Sequence, residues 1–262
     1  TDGPGDALGF GDFPGQYGFV VLSRYPIDTV NIRTFGALLW KDMAGANLPL
    51  DASGDSWYSS DALDVLPVSS KNHVDVPIET PEGVVHVLAA HPTPPVFDGI
   101  EDRNGLRNFD EIRLFAEYLT PSTDEQDWLV DDTGAIGRLA PEAAFVILGD
   151  MNADPSDGDT IDGGIELLLE HSRVHADTAT GLLVPESTGA VENNAAAVGD
   201  PARHTAGWGL RVDYVLPSAN LTPSASGVFW PAPNEPHADL VDFDSATGNA
   251  SSDHRLVWVD LN

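Results

Sequence analysis

The sequence predicts an α+β fold in which short strands dominate and sheets and helices pack in layers. Twenty prolines and 25 glycines interrupt short apolar runs, which is typical of strands joined by turns. Helical periodicity occurs only at intervals and does not alternate regularly with the strands, which disfavours a doubly wound parallel sheet. The chain has 262 residues, of which 42% are hydrophobic, and no change in composition divides it. We therefore expect a single domain over residues 1–262 with a real core.

Seven apolar runs are the predicted strands. They cover residues 19–23, 74–79, 84–90, 144–148, 211–216, 227–230 and 255–261. The turn residues between 77 and 84 predict that the second and third strands form a hairpin.

Two segments have helical character. In residues 108–119, apolar side chains recur at helical spacing, and Asn108 is the predicted cap with Glu111 in capping-box position. A second, shorter helix is predicted for residues 164–170. Three polar stretches without periodicity are predicted surface loops, at residues 41–64, 120–140 and 186–206.

The composition excludes several classes of function. Lys and Arg total 12 against 42 Asp and Glu, giving a formal charge of −30, so the chain lacks the basic surface of a nucleic-acid binder. The absence of cysteine excludes disulfides, thiolate metal sites and cysteine nucleophiles. No apolar run is long enough to span a bilayer, and we expect a secreted or extracellular protein, with a cytoplasmic location left open.

The strand that ends at Gly149 is followed by Asp150 and Asn152. Residues two apart in an extended chain project to the same side, so a carboxylate and an amide can face one ligand. Asp150 can then accept a proton from water while Asn152 orients the water or a phosphate oxygen. Taken alone, a strand-ending Asx turn is the simpler explanation of this pair. A calcium loop of EF-hand type fails because Pro155 and Ile161 occupy its required glycine and glutamate positions.

Three further polar groups follow or interrupt apolar strands. His91 ends a strand and can donate to a phosphoryl oxygen, although a hydrogen-bonded loop histidine explains it equally well. Asp213 lies within an apolar strand, where a carboxylate is costly unless it is paired, and a histidine is its natural partner. The pair Asp253 and His254 precedes another apolar strand. Oxygen ligands with sparse histidine favour Mg²⁺, Mn²⁺ or Ca²⁺ over zinc.

Other catalytic templates find little support. The sequence has no Gly-x-Ser-x-Gly elbow, no His-Glu-x-x-His and no phosphate-binding P-loop. A serine triad built from Asp213, His254 and an unmarked serine stays open.

Taken together and in this order, the four segments resemble the endonuclease/exonuclease/phosphatase superfamily, which includes DNase I-like nucleases, sphingomyelinases and inositol polyphosphate 5-phosphatases. The resemblance runs over nearly the whole chain. It depends on His91 at its strand end, Gly149-Asp150-Met151-Asn152-Ala153 for Gly-Asp-x-Asn, Arg211-Val212-Asp213-Tyr214-Val215 for Arg-x-Asp-Tyr, Ser252-Asp253-His254 for Ser-Asp-His, and residues 15–27 for Gly-x-x-x-Leu-Ser-Arg-x-Pro-Ile.

The resemblance implies a four-layered α/β sandwich of two mostly antiparallel sheets flanked by helices, and metal-dependent hydrolysis of a phosphoester. It implies a divalent cation, Mg²⁺ first and Mn²⁺ or Ca²⁺ as alternatives, bound by Asp253, Asp150 and Asn152. Asp150 is then also the residue that activates water, and His254, oriented by Asp213, contacts the phosphate. His91 stabilises the phosphoryl oxygens or the leaving group.

One departure from the family pattern concerns the metal. The family's first strands carry an Asn and then the principal metal-binding Glu, and both are expected upstream of Gly15. We therefore expect the chain to be the C-terminal portion of a longer protein, with its own N-terminal fragment as a partner. A catalytically silent binding or scaffold module that retains the sandwich is the alternative function.

The expected partner is a phosphoester substrate. Lys71, Arg103, Asn104 and Arg107 follow or precede the predicted site in sequence, and three of them are cations in a strongly anionic protein. We expect them to bind substrate, with solvated surface charges or ion pairs as an equal alternative.

Overall fold

The computed structural model describes residues 9–122, 127–191, 193, 196–241 and 251–262. Seven strands lie in this part of the chain: β1 (Arg33–Thr34), β2 (His73–Thr80), β3 (Gly83–Ala90), β4 (Ala144–Asp150), β5 (Asp213–Pro217), β6 (Pro223–Phe229) and β7 (Leu256–Leu261). Its α-helices are α1 (Ser60–Leu63), α2 (Arg103–Leu119), α3 (Glu166–Leu169) and α4 (Ala176–Ala179). Short 3-10 helices cover Trp40–Asp42, Pro201–Arg203 and Ala238–Leu240.

The strands form two sheets. The larger sheet has the order β1-β2-β3-β4-β5, and β6 pairs with β7 in a second sheet. Every pair of neighbours is antiparallel except β3 and β4, which run parallel and are connected through α2. The predicted α+β class with mostly antiparallel sheets is confirmed, as is the hairpin of β2 and β3.

The parallel pairing of β3 and β4 decides where the polar groups meet. Parallel strands end at the same edge of a sheet. The register pairs Ala89 with Leu148, so β3 and β4 end side by side, at Ala90 and Asp150. His91 and Asp150 are thereby brought to one edge although they are far apart in sequence.

The main core lies between the large sheet and α2. Alternate residues of each strand point to α2, because successive side chains of a strand face opposite sides. Sheet and helix contribute fully buried side chains: Leu88, Phe145, Ile147 and Leu216 from the sheet, and Ile112, Leu114, Phe115 and Leu119 from the helix. A smaller cluster on the opposite face contains Val74, Val76, Ile78 and Ala89.

The predicted strand at residues 19–23 is wrong. These residues pair with no strand in the described part of the chain. Val20 and Leu22 are 75% and 86% exposed, and only Val21 packs against the smaller cluster. A short apolar run forms a strand only where a neighbouring strand offers its backbone groups, and no described strand does so here. Conversely, β1 has no apolar signal, because it consists of Arg33 and Thr34 alone.

The main helix is longer than the periodicity predicts. It begins at Arg103, and its N-cap is Asp102 in a left-handed conformation with φ of 49°. The predicted cap at Asn108 and the capping-box role of Glu111 are therefore wrong, because both residues lie inside the helix and are buried. The predicted helix at 164–170 is confirmed as α3, with narrower bounds.

Where they are described, the long loops contain only short helical turns and isolated bridges. Residues 41–64 include α1, and residues 186–206 include the Pro201–Arg203 turn. Residues 123–126, 192, 194 and 195 of these predicted loops lie outside the described residues. Across the part of the chain that the structure covers, no helix is both long and apolar enough to cross a membrane.

Candidate active site

The end of β4 delivers Asp150 to the edge of the sheet. Asp150 lies opposite Asp213 of β5 in the antiparallel register. The preceding residue must be glycine: Gly149 has φ of 148°, and an added Cβ would lie 2.0 Å from the carbonyl oxygen of Ala90. This close approach of the two strand ends brings Asp150 next to the loop that starts at His91.

Asn152 takes part in two hydrogen bonds that shape this edge. Its backbone N–H donates to Asp150 Oδ1 at 2.8 Å, which is the Asx turn that the sequence also predicts. Its side-chain amide donates to the carbonyl oxygen of Pro92 at 3.0 Å, and its backbone adopts a left-handed φ of 50°. The amide thus links the Asp150 loop to the His91 loop.

His91 faces Asp150 through one ring nitrogen. Its Nδ1–H donates to the carbonyl oxygen of Tyr17 at 2.8 Å, and its Nε2 lies 3.4 Å from Asp150 Oδ2. Burial, with the positive charge of Lys71, lowers the pKa of His91 to about 4. A neutral ring that donates from Nδ1 carries a lone pair on Nε2. His91 therefore presents a proton acceptor to Asp150.

His254 approaches Asp150 from the other side. Its Nδ1 donates to Asp213 Oδ2 at 2.9 Å, and its Nε2 lies 3.7 Å from Asp150 Oδ2. Burial disfavours the charged ring, but the hydrogen bond to Asp213 and the negative charges of Asp213, Asp150 and Asp253 outweigh it and raise the pKa of His254 to about 9. His254 is therefore a cation at neutral pH, and Asp213 has the histidine partner that the sequence predicts.

The carboxyl group of Asp150 is the central group of the site. Burial, followed by the negative charge of Asp213, raises its pKa above the ordinary value, while the charges of His254 and Lys71 act in the opposite direction. A carboxyl group with a raised pKa holds a proton more readily than a free one. Asp150 can therefore take up a proton at neutral pH, which a general base must do.

Replacement of Asp213 tests the ion pair directly. We expect Asp213→Asn to lower the pKa of His254 toward 6.5, the ordinary value, because the charge that stabilises the imidazolium is removed. Because the folded protein favours the charged ring of His254, the raised pKa of His254 stabilises the fold fully at pH below 6.5. This contribution is lost as the pH rises through 9. The wild type should thus lose stability over that interval and the variant should not. NMR titration of the His254 ring and denaturation at several pH values measure both effects, and an unchanged titration would contradict the assignment.

Three ligand-type residues lie together. Asp150, Asp213 and His254 each offer an atom within 4.8 Å of the others, and the residues that the structure describes contain no other such group of acids and histidines. Asp213 is already bound to His254, so Asp150 is the carboxylate available to a cation. A divalent cation prefers six or more oxygen ligands. The described residues therefore fit part of a divalent-cation site, and further oxygens must complete it.

Asp253 is placed beside this group without joining it. Its backbone carbonyl accepts from the Gly207 N–H at 2.7 Å, and its carboxylate is outside the group of three. Metal binding by Asp253 and Asn152 stays a prediction.

Of the candidate substrate-binding residues, Lys71 lies nearest to the site. Its Nζ donates to Ser70 Oγ at 3.2 Å, and its charge acts on both His91 and Asp150. Arg107 is buried, and its guanidinium donates to the carbonyl oxygens of Pro67 and Val68. Arg107 thus holds the chain ahead of Lys71 in place, and a substrate contact by it stays a prediction.

The two residues at the start of α2 fasten a neighbouring loop. Arg103 forms an ion pair with Glu101 and donates to the carbonyl oxygen of Phe97 at 3.1 Å. Asn104 donates from its side chain to the carbonyl oxygen of Val96 at 2.6 Å. Their assignment as substrate-binding residues stays a prediction, since these donors are engaged with the protein itself.

Two residues next to the site are hard to identify from the sequence. Tyr17 orients His91 through its backbone carbonyl, and a backbone contact leaves no trace in residue type. Trp208 packs edge-on against the His254 ring, with 4.9 Å between centroids, and is 49% exposed. A half-exposed tryptophan beside His254 is accessible to a molecule that enters the site. Its exposure, which only the structure shows, sets it apart from a core residue.

A comparison with known protein families gives a match over most of the sequence. The sequence profile described as "Endonuclease/Exonuclease/phosphatase family" matches residues 2–254. No curated protein is similar enough to the chain to count as a match.

Solved structures with a related fold include three of different origin. An endonuclease/exonuclease/phosphatase from Beutenbergia cavernae is 15% identical, with a TM-score of 0.47. The match covers 91% of this chain and 46% of the other protein. Sphingomyelinase C from Streptomyces griseocarneus is 13% identical, with a TM-score of 0.41, and the match covers 91% of this chain and 62% of the sphingomyelinase. The human Nocturnin catalytic domain is 14% identical, with a TM-score of 0.38, and the match covers 91% of this chain and 60% of that domain.

The chain spans about half the length of the first of these structures. The match of the family profile covers nearly all residues, including each strand end that carries a polar group of the site. The chain therefore belongs to the endonuclease/exonuclease/phosphatase family.

Proposed function

We propose that the chain carries the catalytic residues of a metal-dependent phosphoester hydrolase, acting on a phosphodiester or a phosphomonoester. One observation supports this most strongly. Asp150 Oδ2 lies between two imidazoles, 3.4 Å from His91 Nε2 and 3.7 Å from His254 Nε2. One imidazole is neutral and the other is a cation, so the carboxyl group has a proton acceptor on one side and a positive charge on the other.

The proposed roles follow from these charges. Asp150 accepts a proton from the attacking water, and its raised pKa suits that task at neutral pH. The His254 cation, held by Asp213, faces the developing negative charge of the phosphoryl oxygens. Lys71 adds a second positive charge at the same edge. His91 accepts the proton from Asp150 at Nε2 and, once charged, donates it to the leaving group.

A divalent cation bound by Asp150, Asp253 and Asn152, with Mg²⁺ before Mn²⁺ or Ca²⁺, would neutralise charge on the phosphoryl group. The hard oxygen ligands support this choice of ion. The residues of the chain then orient the substrate and move its protons.

The charge of the protein bears on the substrate class. A net charge of −30 repels long polyanions, which supports a small or non-nucleic phosphoester over a nucleic acid. The half-exposed Trp208 next to His254 offers an apolar contact to the organic part of such a substrate.

The partner and the location belong to the same proposal. We propose that a segment N-terminal to Thr1 supplies a further carboxylate, because the described residues provide only part of a cation site. Co-expression of the two segments, with metal affinity measured by calorimetry, tests this. An extracellular location is tested by fractionation of cells that produce the protein.

Hydrolysis of aryl phosphodiesters and aryl phosphomonoesters with Mg²⁺, Mn²⁺ or Ca²⁺ tests the proposed activity, in the chain alone and with its N-terminal segment. We expect turnover that is abolished by a chelator and restored by the metal. If neither form turns over any substrate, and Asp150→Ala and His254→Ala change nothing, the alternative of a silent binding or scaffold module is supported.

A further inference from the structure

We infer that Asn108 and Glu111 of α2 are positioning residues that set the spacing between Lys71, His91 and Asp150. The inference rests on the proposed function, since it concerns the loops that carry those three groups. Neither residue touches the reacting atoms in the arrangement proposed above. Both act through the backbone of the loops that do.

The loops need such support because β3 and β4 no longer pair with each other at their ends. The last register pair of β3 and β4 is Ala89 with Leu148, so ladder hydrogen bonds no longer fix the distance between His91 and the residues after Asp150. A loop without ladder partners keeps its geometry only if other groups satisfy its backbone.

Asn108 links two of the loops with one amide group. Its Nδ2 donates to the carbonyl oxygen of Thr93 at 2.8 Å and to that of Met151 at 2.9 Å. The first acceptor lies two residues after His91 and the second directly after Asp150. Since Asn108 is only 1% exposed, water does not compete for these bonds. Both hydrogens of the amide are used, so the side chain fixes one loop relative to the other.

Glu111 links the same His91 loop to the loop of Lys71. Its Oε2 accepts from the Thr93 N–H and its Oε1 from the Ser70 N–H, each at 2.6 Å. The carboxylate is fully buried. Two backbone N–H donors on separate loops therefore meet at one charged acceptor, which makes strong and short hydrogen bonds.

The two residues are three positions apart on one helix, so their side chains project from the same face. Through them, α2 holds the three segments that carry Lys71, His91 and Asp150. The helix itself is fixed by the main core, which includes Ile112 and Phe115. A rigid core element thus supports the spacing of His91 and Asp150.

Steady-state kinetics of Asn108→Ala test the inference. We expect kcat to fall by about 10²-fold, the cost of a misplacement near 1 Å, while KM changes less than about threefold. Asn47→Ala is the matched control. It also removes an amide hydrogen bond to α2, from Asn47 Nδ2 to Asp110 Oδ1 at 2.7 Å, but on a loop that carries no site residue. Equal kcat values for the two variants, at similar thermal stability, would overturn the inference.

A second variant keeps the test decisive if Asn108→Ala does not fold. Glu111→Gln preserves the shape of the side chain and one acceptor oxygen, but turns an N–H toward one of the two donors. We expect it to lower kcat by about tenfold to 10²-fold with little change in KM. An unchanged kcat would contradict the role of Glu111.

A readout without turnover separates this inference from the proposed function. The ring nitrogens of His91 can be followed by NMR in protein labelled at histidine. We expect Asn108→Ala to shift these resonances and Asn47→Ala to leave them in place. If the wild type hydrolyses nothing but the resonances shift as described, the proposed function fails and the positioning role stands. If the two variants give the same His91 resonances, the positioning role fails.

Discussion

Asp150→Asn is expected to lower kcat by roughly 10³-fold, within the range of 10² to 10⁴ that a general base contributes. The amide keeps the size of the side chain and can still accept the N–H of Asn152 through its oxygen. It cannot accept a proton from water, and it no longer lies as a charged partner between the two imidazoles. The expected loss is therefore in the chemical step, with a smaller effect on KM.

Kinetics on an aryl phosphoester, at saturating divalent cation, measure this effect. Asp51→Asn is the matched control, because Asp51 also accepts an N–H two residues on, from Ser53 at 2.8 Å, and lies in the separate turn at residues 50–56. The control should retain wild-type kcat. A variant at Asp150 with more than a tenth of wild-type kcat would be incompatible with its role as the base.

Phe115→Ala is expected to destabilise the fold by about 3–5 kcal/mol. Phe115 is fully buried in the C-terminal half of α2, and its ring meets His73 of β2 edge-on, with 4.7 Å between centroids. Its removal leaves a cavity between helix and sheet that the rigid neighbours cannot fill. Because a domain of this kind is stable by only about 5–15 kcal/mol, the loss is a large share of the total.

Chemical denaturation followed by circular dichroism measures this change in the free energy of unfolding. Leu182→Ala provides the comparison, because Leu182 is 95% exposed and should contribute less than about 0.5 kcal/mol. Similar losses for the two variants would mean that the contact between α2 and the sheet is not the main source of stability.

The sequence predicts the strands that the core needs, and it fails where a strand depends on its neighbours. β3 and β4 are largely apolar, and the consecutive buried residues of each, 88–90 in β3 and 145–147 in β4, make these runs easy to detect. Residues 19–23 have an equally apolar pattern but no partner among the described strands. The pattern reports which side chains are apolar, whereas pairing is a property of the assembled sheet.

The candidate site is likewise only partly predictable from the sequence. Asp150, His91 and His254 are predictable because each polar residue stands next to an apolar strand, where a polar group is conspicuous. The partnership of Asp213 with a histidine follows from the cost of an unpaired carboxylate in an apolar strand, and the structure contains that pair. The residues that support the loops of the site are harder to predict from the sequence. Asn108 fits a helix cap in sequence, and only the tertiary structure shows that its amide lies between two loops.

The attachment of His254 has a consequence for the order of folding. The imidazole is held by a backbone bridge between Ala206 and His254, and the Arg255 N–H donates to the Thr205 carbonyl oxygen at 2.8 Å. These are contacts between distant parts of the sequence, and contacts of this kind form late because loop closure must precede them. During synthesis, a chain that already contains His91 and Asp150 lacks the imidazolium until residue 254 has left the ribosome. The group formed by Asp150, Asp213 and His254 is thus assembled only after the segment that leads into β7 has docked.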